Sequence, residues 1–255
     1  MSELFDLDGR VAVVTGGGRG IGRAIAVELA NAGAAVVPSA RSRDEIESVA
    51  ADIEDAGGDA LAVPADVTDS DAVSDVIDSA VDEFGGIDIV VNNAGFNPDD
   101  ALGRPETVEP ESLDRVLDVN LNGAYEVTRA AADHLLASDG GSVINVASVG
   151  GLVGLPRQHP YVASKHGLAG LTKSMSLDWA PAVRVNAVAP GYVSTALTEE
   201  LEDDDHLRRS IIDRTPLERF ADPEEIAGPV VFLASDAATY VTGSVLAADG
   251  GWTAR

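Results

Sequence analysis

The 255-residue chain contains no cysteine, few basic residues and no long apolar run. Without cysteine, disulfides and thiolate metal sites are excluded. The four histidines (His134, His159, His166 and His206) are isolated and lack metal-ligand spacing, so we predict no metal site.

No apolar run approaches the ~18 residues that span a bilayer. The opening residues MSELFDLDGR contain neither the basic nor the apolar segment of a leader peptide. We therefore expect a cytoplasmic protein without a membrane partner. Because no linker or repeat divides the sequence, we also expect a single domain over residues 1–255.

Positive charge is scarce, with 17 basic against 43 acidic residues and a net charge of -26. Such a surface repels nucleic acids and anionic membranes, which makes both improbable partners. Only Lys165 and Lys173 are lysines, and the other fifteen basic residues are arginines. This pattern predicts a halophilic protein, because concentrated salt screens repulsion to within a few Å. An ordinary acidic cytosolic protein is the alternative.

A glycine-rich turn follows the first predicted strand, Val11 to Val14, and precedes a helical apolar pattern. That context favours a dinucleotide-binding turn. Gly16, Gly20 and Gly22 have the spacing Gly-x-x-x-Gly-x-Gly, which departs from Gly-x-Gly-x-x-Gly. The same functions are available, namely a tight turn and a helix N-terminus aimed at a pyrophosphate. A purely structural turn is the alternative.

Strand and helix patterns then alternate along the chain. Strands are predicted over 34–39, 60–64, 87–91, 142–147 and 183–189, and helices over about 44–56, 69–84, 110–137 and from Tyr161 to 179. Such alternation predicts a parallel, doubly wound α/β sheet of Rossmann type with helices on both faces. Ligands bind beyond the carboxyl ends of these strands, where Gly16, Asn92, Ser148 and Gly191 would meet.

The end of the second strand indicates which dinucleotide binds. An NAD site usually has an acidic residue there, and Ala40 does not provide one. Arg41, together with Arg19, could instead neutralise a 2′-phosphate, so we predict NADP(H) over NAD(H). Solvated surface arginines are the alternative. Asp66, after the third predicted strand, could reach a base edge or cap a helix.

Tyr161 and Lys165 are one helical turn apart if Pro160 lies in the first turn. A neighbouring cation favours the phenolate and would lower the tyrosine pKa from ~10. Ser148 ends a predicted strand and could hold the oxygen of a reacting carbonyl or alcohol. Asn120 falls on the apolar side of the 110–137 helix, where its amide needs hydrogen-bond partners unless it caps an irregular turn.

Together, these motifs resemble those of the short-chain dehydrogenase/reductase family. The matching segments are TGGGRGIG (15–22), Asp66-Val67, NNAG (92–95), Asn120, Ser148, YVASK (161–165), VNAVAPG (185–191), PEEIA (223–227) and TGSVLAADGG (242–251). The resemblance implies a sheet of about seven strands and hydride transfer between a nicotinamide and a secondary alcohol or ketone, with no metal.

The resemblance also implies the residues of the site. Tyr161 would exchange the proton, Lys165 would lower its pKa and bind the nicotinamide ribose, and Ser148 would orient the substrate oxygen. Asn120 would hold a water in a proton relay. The expected cofactor residues are Gly16, Arg19, Gly20, Ile21, Gly22, Arg41, Asp66, Val67, Asn93, Ala94, Gly95, Tyr161, Lys165, Pro190, Gly191, Val193 and Thr195.

The substrate is less sharply indicated. Residues 194–215 would form a mobile lid, and both ends of the chain resemble sugar-acid and polyol enzymes such as gluconate 5-dehydrogenases. We therefore expect a small sugar, sugar acid or polyol, with Arg104 or Arg157 as partner of a carboxylate. A 3-oxoacyl thioester reductase is the alternative, although few exposed cations would dock an acidic carrier protein. A non-catalytic nucleotide sensor is an alternative of another class. The family also implies a homo-oligomer, most often a tetramer.

Overall fold

Six parallel strands form the centre of the structure, a computed structural model that describes residues 3–254. They are β1 (Val11–Thr15), β2 (Ala35–Ser39), β3 (Ile89–Asn92), β4 (Gly141–Val146), β5 (Val183–Pro190) and β6 (Val245–Ala248). Their order across the sheet is β2-β1-β3-β4-β5-β6. The strand order reverses between β1 and β3, which is where a doubly wound sheet opens a ligand crevice.

Helices cover both faces of the sheet. They are α1 (Gly20–Asn31), α2 (Arg43–Asp55), α3 (Ser70–Phe84), α4 (Pro110–Leu117), α5 (Ala124–Ala130), α6 (Ala132–Ala137), α7 (His159–Trp179), α8 (Glu199–Asp203), α9 (Asp205–Ile212) and α10 (Glu224–Ala234). Consecutive strand residues point to opposite faces, so Val13 and Val14 enter two different buried clusters. This confirms the predicted α/β architecture.

Neither a membrane-spanning helix nor a metal-binding group appears in the described part of the chain. No helix within residues 3–254 is long and apolar enough to cross a bilayer. The same residues contain no group of three or more His, Asp or Glu side chains arranged to hold a metal ion.

The strand predicted over 60–64 is not a full strand, which leaves six strands where about seven were expected. The segment runs beside β2 and forms one isolated bridge, between Val36 and Ala60. Farther along, the Val63 N–H still donates to the Pro38 carbonyl at 3.3 Å. Pro38 has no N–H to return the bond, so the ladder is interrupted there.

The long helix predicted over 110–137 is divided into three. A π-helical turn, Asp118–Gly123, separates α4 from α5, and α6 follows after Ala131. π-turns are rare and frequently lie at functional sites. This one carries Asn120, which is buried.

Candidate active site

The glycine turn lies between the end of β1 and the start of α1, and two of its glycines leave no room for a side chain. Gly16 has a φ of +65°, and a Cβ on it would lie 2.8 Å from Asn93 Nδ2. A Cβ on Gly22 would lie only 2.1 Å from the Gly16 carbonyl oxygen. The turn therefore packs tightly against itself and against Asn93 and leads into the N-terminus of α1, where a pyrophosphate would bind.

Thr15, which the sequence analysis did not single out, holds this turn against the end of β3. Its hydroxyl oxygen accepts the N–H groups of Asn93 and Ala94, both at 3.1 Å. Asn93 Nδ2 donates to the carbonyls of Thr15 at 3.0 Å and Gly16 at 3.1 Å. Both amide protons of Asn93 are thus used, and this residue supports the glycine turn.

Two arginines lie beside the glycine turn and the end of β2. Arg19 precedes α1 with 74% of its side chain exposed, and its Nη1 lies 3.8 Å from Glu45 Oε1. Arg41 is exposed. The pKa of Asp66 is lowered mainly by the hydrogen bond from the Thr68 N–H, and the positive charge of Arg41 lowers it further. That N–H donates to Asp66 Oδ1 at 3.0 Å, so the carboxylate closes a turn before α3.

The segment after β5 reaches the glycine turn. A Cβ on Gly20 would lie 3.3 Å from Thr195 Cγ2, so these two expected cofactor residues are neighbours. A Cβ on Gly191, which follows Pro190, would lie 2.8 Å from Asp249 Cα, so this turn also requires glycine. Val193 differs from expectation, because its side chain is 3% exposed and belongs to the core.

Ile21 and Val67 are also directed toward protein. Ile21 packs against the buried cluster on its side of the sheet. A Cβ on Gly123 would lie 2.6 Å from Val67 Cγ2, so Val67 contacts the π-turn closely. Any contact of these two residues with a cofactor would therefore come mainly from their backbone.

Ser148, Tyr161 and Lys165 come together where β4 ends beside α7. Pro160 lies in the first turn of α7, as predicted, and the Tyr161 ring lies against Gly150, where a Cβ would be 3.3 Å from Tyr161 Cε1. The Ser148 hydroxyl oxygen also accepts the Gly150 N–H at 3.0 Å. Gly150 therefore contacts both the serine hydroxyl and the tyrosine ring.

Lys165 is 4% exposed, and its Nζ donates to the Val146 carbonyl at 2.8 Å. The ammonium has three N–H donors, so two are left for other partners. Its Nζ lies 5.8 Å from the centre of the Tyr161 ring. The lysine is therefore beside the phenol, as the spacing predicted.

Asn120 joins the π-turn to the segment that follows β3. Its Oδ1 accepts the Phe96 N–H at 2.9 Å, and its Nδ2 donates to the Phe96 carbonyl at 3.0 Å and to Ser164 Oγ at 3.1 Å. The expected partners of this buried amide are thus backbone and α7. A Cβ on Gly95 would lie 3.3 Å from Asn120 Oδ1 and 3.4 Å from Lys165 Nζ, so Gly95 links these two residues.

The pKa values depart from one prediction. Burial raises the pKa of Tyr161 above 10.0, the hydrogen bond from Ser148 opposes this, and Tyr192 raises it further. Burial lowers the pKa of Lys165 from 10.5 to about 8. The predicted lowering of the tyrosine pKa is therefore wrong, because desolvation of the phenolate has the largest effect on this pKa and raises it.

A buried polar network connects the sheet to the helices beside the site. Asn92 Nδ2 donates to Thr128 Oγ1 and to Asn145 Oδ1, both at 2.8 Å. Asn145 Nδ2 then donates to Thr172 Oγ1 of α7 at 2.9 Å. The network fixes α7, with its Tyr161, against β4. Only the polar residues within otherwise apolar strands could have signalled it from the sequence.

Tyr192 is a further neighbour of Tyr161 that sequence reasoning missed. Its ring packs edge-on against Phe220 and Trp252, with both centroids 5.9 Å away. The Arg214 guanidinium lies over the Trp252 ring at 4.2 Å. The three aromatic rings therefore pack together in one cluster after β5. The only signal was the position of Tyr192 directly after Pro190-Gly191.

Arg104 and Arg157 belong to two loops that touch near the start of α7. The Gly103 N–H donates to the Arg157 carbonyl at 3.0 Å, and Asn97 Nδ2 donates to Gln158 Oε1 at 3.1 Å. Arg157 has a φ of +62°, uncommon outside glycine. Among residues 3–254, neither arginine forms an ion pair.

Comparison with known proteins gives consistent matches along nearly the whole chain. Residues 16–253 match the family model described as enoyl-(acyl carrier protein) reductase. The 2-dehydro-3-deoxy-D-gluconate 5-dehydrogenase of Escherichia coli is 41% identical over 258 residues, covering 99% of each chain. The 3-oxoacyl-[acyl-carrier-protein] reductase FabG of Thermotoga maritima is 39% identical over 246 residues, covering 96% of this chain and 98% of the relative.

A solved structure agrees with these relatives. The gluconate 5-dehydrogenase of Burkholderia cenocepacia, in complex with NADP and tartrate, superposes with a TM-score of 0.94 at 38% identity. The match covers 99% of this chain and 98% of the other. With the family model, the relatives and the fold in agreement, the chain belongs to the short-chain dehydrogenase/reductase family and is an NAD(P)-dependent oxidoreductase of alcohols and ketones.

Proposed function

We propose that the chain interconverts a secondary alcohol and a ketone of a small sugar, sugar acid or polyol, with Tyr161 as the proton donor and acceptor. The observation that carries the proposal is the position of buried Lys165, whose Nζ lies 5.8 Å from the centre of the Tyr161 ring. That ring lies against Gly150, the hydrogen-bond partner of Ser148. A bound nicotinamide would supply or accept the hydride. In ketone reduction, the Tyr161 O–H gives its proton to the substrate oxygen while hydride adds to the carbon.

The surrounding residues support this proton transfer. Ser148 is placed to hold the substrate oxygen next to the phenol, and Lys165 has two N–H groups free to bind a ribose hydroxyl. Both N–H groups of the Asn120 side chain are used by Phe96 and Ser164, and its Oδ1 accepts the Phe96 N–H, so its first task is to position the segment containing Gly95. The water relay through Asn120 stays a prediction.

NADP(H) is the cofactor that we propose over NAD(H). Arg41 is exposed and forms no ion pair within the described chain, and Arg19 has one loose partner. Arg41→Ala should therefore raise the Kd of NADP+ by roughly tenfold or more, the effect of a lost hydrogen bond to a charged group. Arg43→Ala is the matched control, because Arg43 pairs with Glu47 at 3.3 Å on the same surface.

An anionic substrate is supported by the charges at the start of α7. The chain has 43 acidic residues, yet Arg104 and Arg157 have no carboxylate partner within the described residues. Their loops are joined by the Gly103–Arg157 hydrogen bond, so the two arginines lie on adjoining loops. A carboxylate held by an arginine fork is the fitting partner.

The test compares kcat/KM for gluconate-type acids, neutral sugars and a 3-oxoacyl thioester at one salt concentration. We expect the acids to be preferred, and Arg157→Ala or Arg104→Ala to remove that preference without affecting neutral sugars. Arg115→Ala is the control, since Arg115 is paired with Asp100. A clear preference for the thioester would favour the reductase alternative, which the FabG relative supports. Turnover of any of these substrates would exclude the alternative that the chain is a non-catalytic nucleotide sensor.

The proposed function also involves a lid over the substrate, an oligomeric state and a cellular location. We propose residues 194–215 as the substrate lid, since α8 and α9 lie there and Thr195 contacts the glycine turn. A homo-oligomer is supported by exposed apolar residues, including Leu177 at 82% and Tyr240. A tetramer and a cytoplasmic location stay predictions.

A further inference from the structure

Glu45 lies closer to the glycine turn than its place in the sequence suggests. It is in the first turn of α2, 39% of its side chain is exposed, and its Oε1 is 3.8 Å from Arg19 Nη1. A Cβ on Gly18 would lie 2.9 Å from Glu45 Cβ and 3.3 Å from Glu45 Oε2. The helix thus presents a carboxylate to the same loop that carries Arg19.

This carboxylate faces one of the two arginines proposed for the 2′-phosphate. Arg19 is partly neutralised by it, whereas Arg41 has no ion pair within residues 3–254. A phosphate carries nearly two negative charges at neutral pH and is repelled by a nearby carboxylate. NAD(H) lacks that phosphate and carries only the pyrophosphate charges that both cofactors share, so Glu45 should disfavour it less.

We infer that Glu45 is a specificity-determining residue that weakens NADP(H) binding and so narrows the gap between NADP(H) and NAD(H). The inference rests on the proposed phosphate site of Arg19 and Arg41. It predicts an enzyme with a limited preference, able to use both cofactors. The opposite function, in which Glu45 aligns Arg19 for the phosphate, predicts the opposite sign and is separated by experiment.

The experiment measures Kd for NADP+ and NAD+ by titration calorimetry on wild type, Glu45→Gln and Glu47→Gln. Glu47→Gln is the matched control, because it removes the same charge from the same helix. Unlike Glu45, Glu47 pairs with Arg43, at 3.3 Å. In 0.1 M KCl we expect Glu45→Gln to lower the Kd of NADP+ by roughly three- to tenfold, as expected for neighbouring surface charges. The Kd of NAD+ should stay within about twofold, and Glu47→Gln should change neither by more than that.

Salt provides a second readout. In 2 M KCl the screening distance falls to a few Å. The decrease in the Kd of NADP+ caused by Glu45→Gln should therefore become as small as the change caused by Glu47→Gln. The melting temperature of each variant, measured without cofactor, shows that the proteins compared are folded. Glutamine keeps the size and helix propensity of glutamate, so the fold should tolerate it.

Three results would overturn the inference: equal NADP+ affinity in Glu45→Gln and Glu47→Gln, weaker NADP+ binding in Glu45→Gln, or equal gains for both cofactors. Failure of the phosphate site itself has a different signature. There, Arg41→Ala leaves the Kd of NADP+ unchanged and wild type prefers NAD+. An intact Arg41 effect with no Glu45 effect overturns only the present inference.

Discussion

At the scale of single residues, the site combines a phenol that resists ionisation with an amine that loses its proton readily. Burial raises the pKa of Tyr161, and burial lowers the pKa of Lys165 to about 8. At neutral pH the tyrosine is therefore protonated and ready to act as the acid in ketone reduction. In the direction of alcohol oxidation it must first ionise, which favours a rate that increases with pH.

Replacing the phenol tests the proposed proton transfer. Tyr161→Phe keeps the ring and removes the hydroxyl, so kcat should fall by at least the ~10²-fold typical of a lost acid–base group, while cofactor affinity persists. Tyr240→Phe is the control, because Tyr240 is fully exposed. Steady-state kinetics and calorimetry supply the two measurements. Near-normal turnover in Tyr161→Phe would remove the tyrosine from the mechanism.

The pKa of Lys165 gives a prediction for stability. Its value is about 8 in the folded chain against 10.5 ordinarily, so between these pH values the unfolded chain binds more protons and stability rises with pH. Compared with Lys165→Met, which has no such group, wild type should gain about 2–3 kcal/mol in free energy of unfolding from pH 7.5 to 10. Urea denaturation at several pH values measures this difference. Lys173→Met, on the surface of the same helix, should show no comparable trend. If the difference in free energy of unfolding between wild type and Lys165→Met did not change with pH, the lowered pKa of buried Lys165 would be contradicted.

At the scale of elements, the sequence predicted most of the fold because local pattern and tertiary structure agree. The strand at Val11, the glycine turn and the helix starting near Pro160 all formed where periodicity and turn residues placed them. The two departures have causes outside the local pattern. Pro38 interrupts pairing with a neighbouring segment, and the π-turn around Asn120 depends on partners far away in sequence.

The glycine turn supplies a prediction at this scale. Gly22→Ala should lower the free energy of unfolding by about 1–3 kcal/mol and weaken cofactor binding, because the new Cβ would overlap the Gly16 carbonyl. Gly170→Ala is the matched change in α7, where a Cβ has open space around it. It should instead stabilise the chain by about 0.5–1 kcal/mol, the usual difference between alanine and glycine in a helix. Urea denaturation measures both, and equal effects would mean that the turn relaxes freely.

The residues of the candidate site were predictable only where their partners lie close to them in the sequence. Tyr161, Lys165 and the glycines were recognisable because their partners lie within a few residues. Thr15, Tyr192 and Glu45 act on residues more than twenty positions away, and only the folded chain brings them into contact. The direction of the shift in the Tyr161 pKa was predicted wrongly, because the local sequence does not show that the phenol is buried.

At the scale of the whole molecule, the net charge of -26 is the dominant feature. Diluting salt lengthens the screening distance to ~10 Å at 0.1 M, which restores repulsion among carboxylates. The melting temperature should therefore be lower in 0.05 M than in 2 M KCl, as measured by calorimetry. A double variant of two exposed residues of α8, Glu200→Gln with Asp203→Asn, should reduce this dependence. Equal melting temperatures at both salt concentrations would contradict the expected adaptation to salt.

The two lysines of α7 have a practical consequence for chemical labelling. Lys173 is exposed, whereas Lys165 is enclosed beside Tyr161 on the same helix. Among the lysine side chains, a reagent directed at amino groups therefore has one accessible target, about 12 Å along the helix axis from Lys165. A single fluorophore or surface linker placed there would give a uniformly oriented, active preparation. Slower labelling at Lys165 would in turn report how often the site opens.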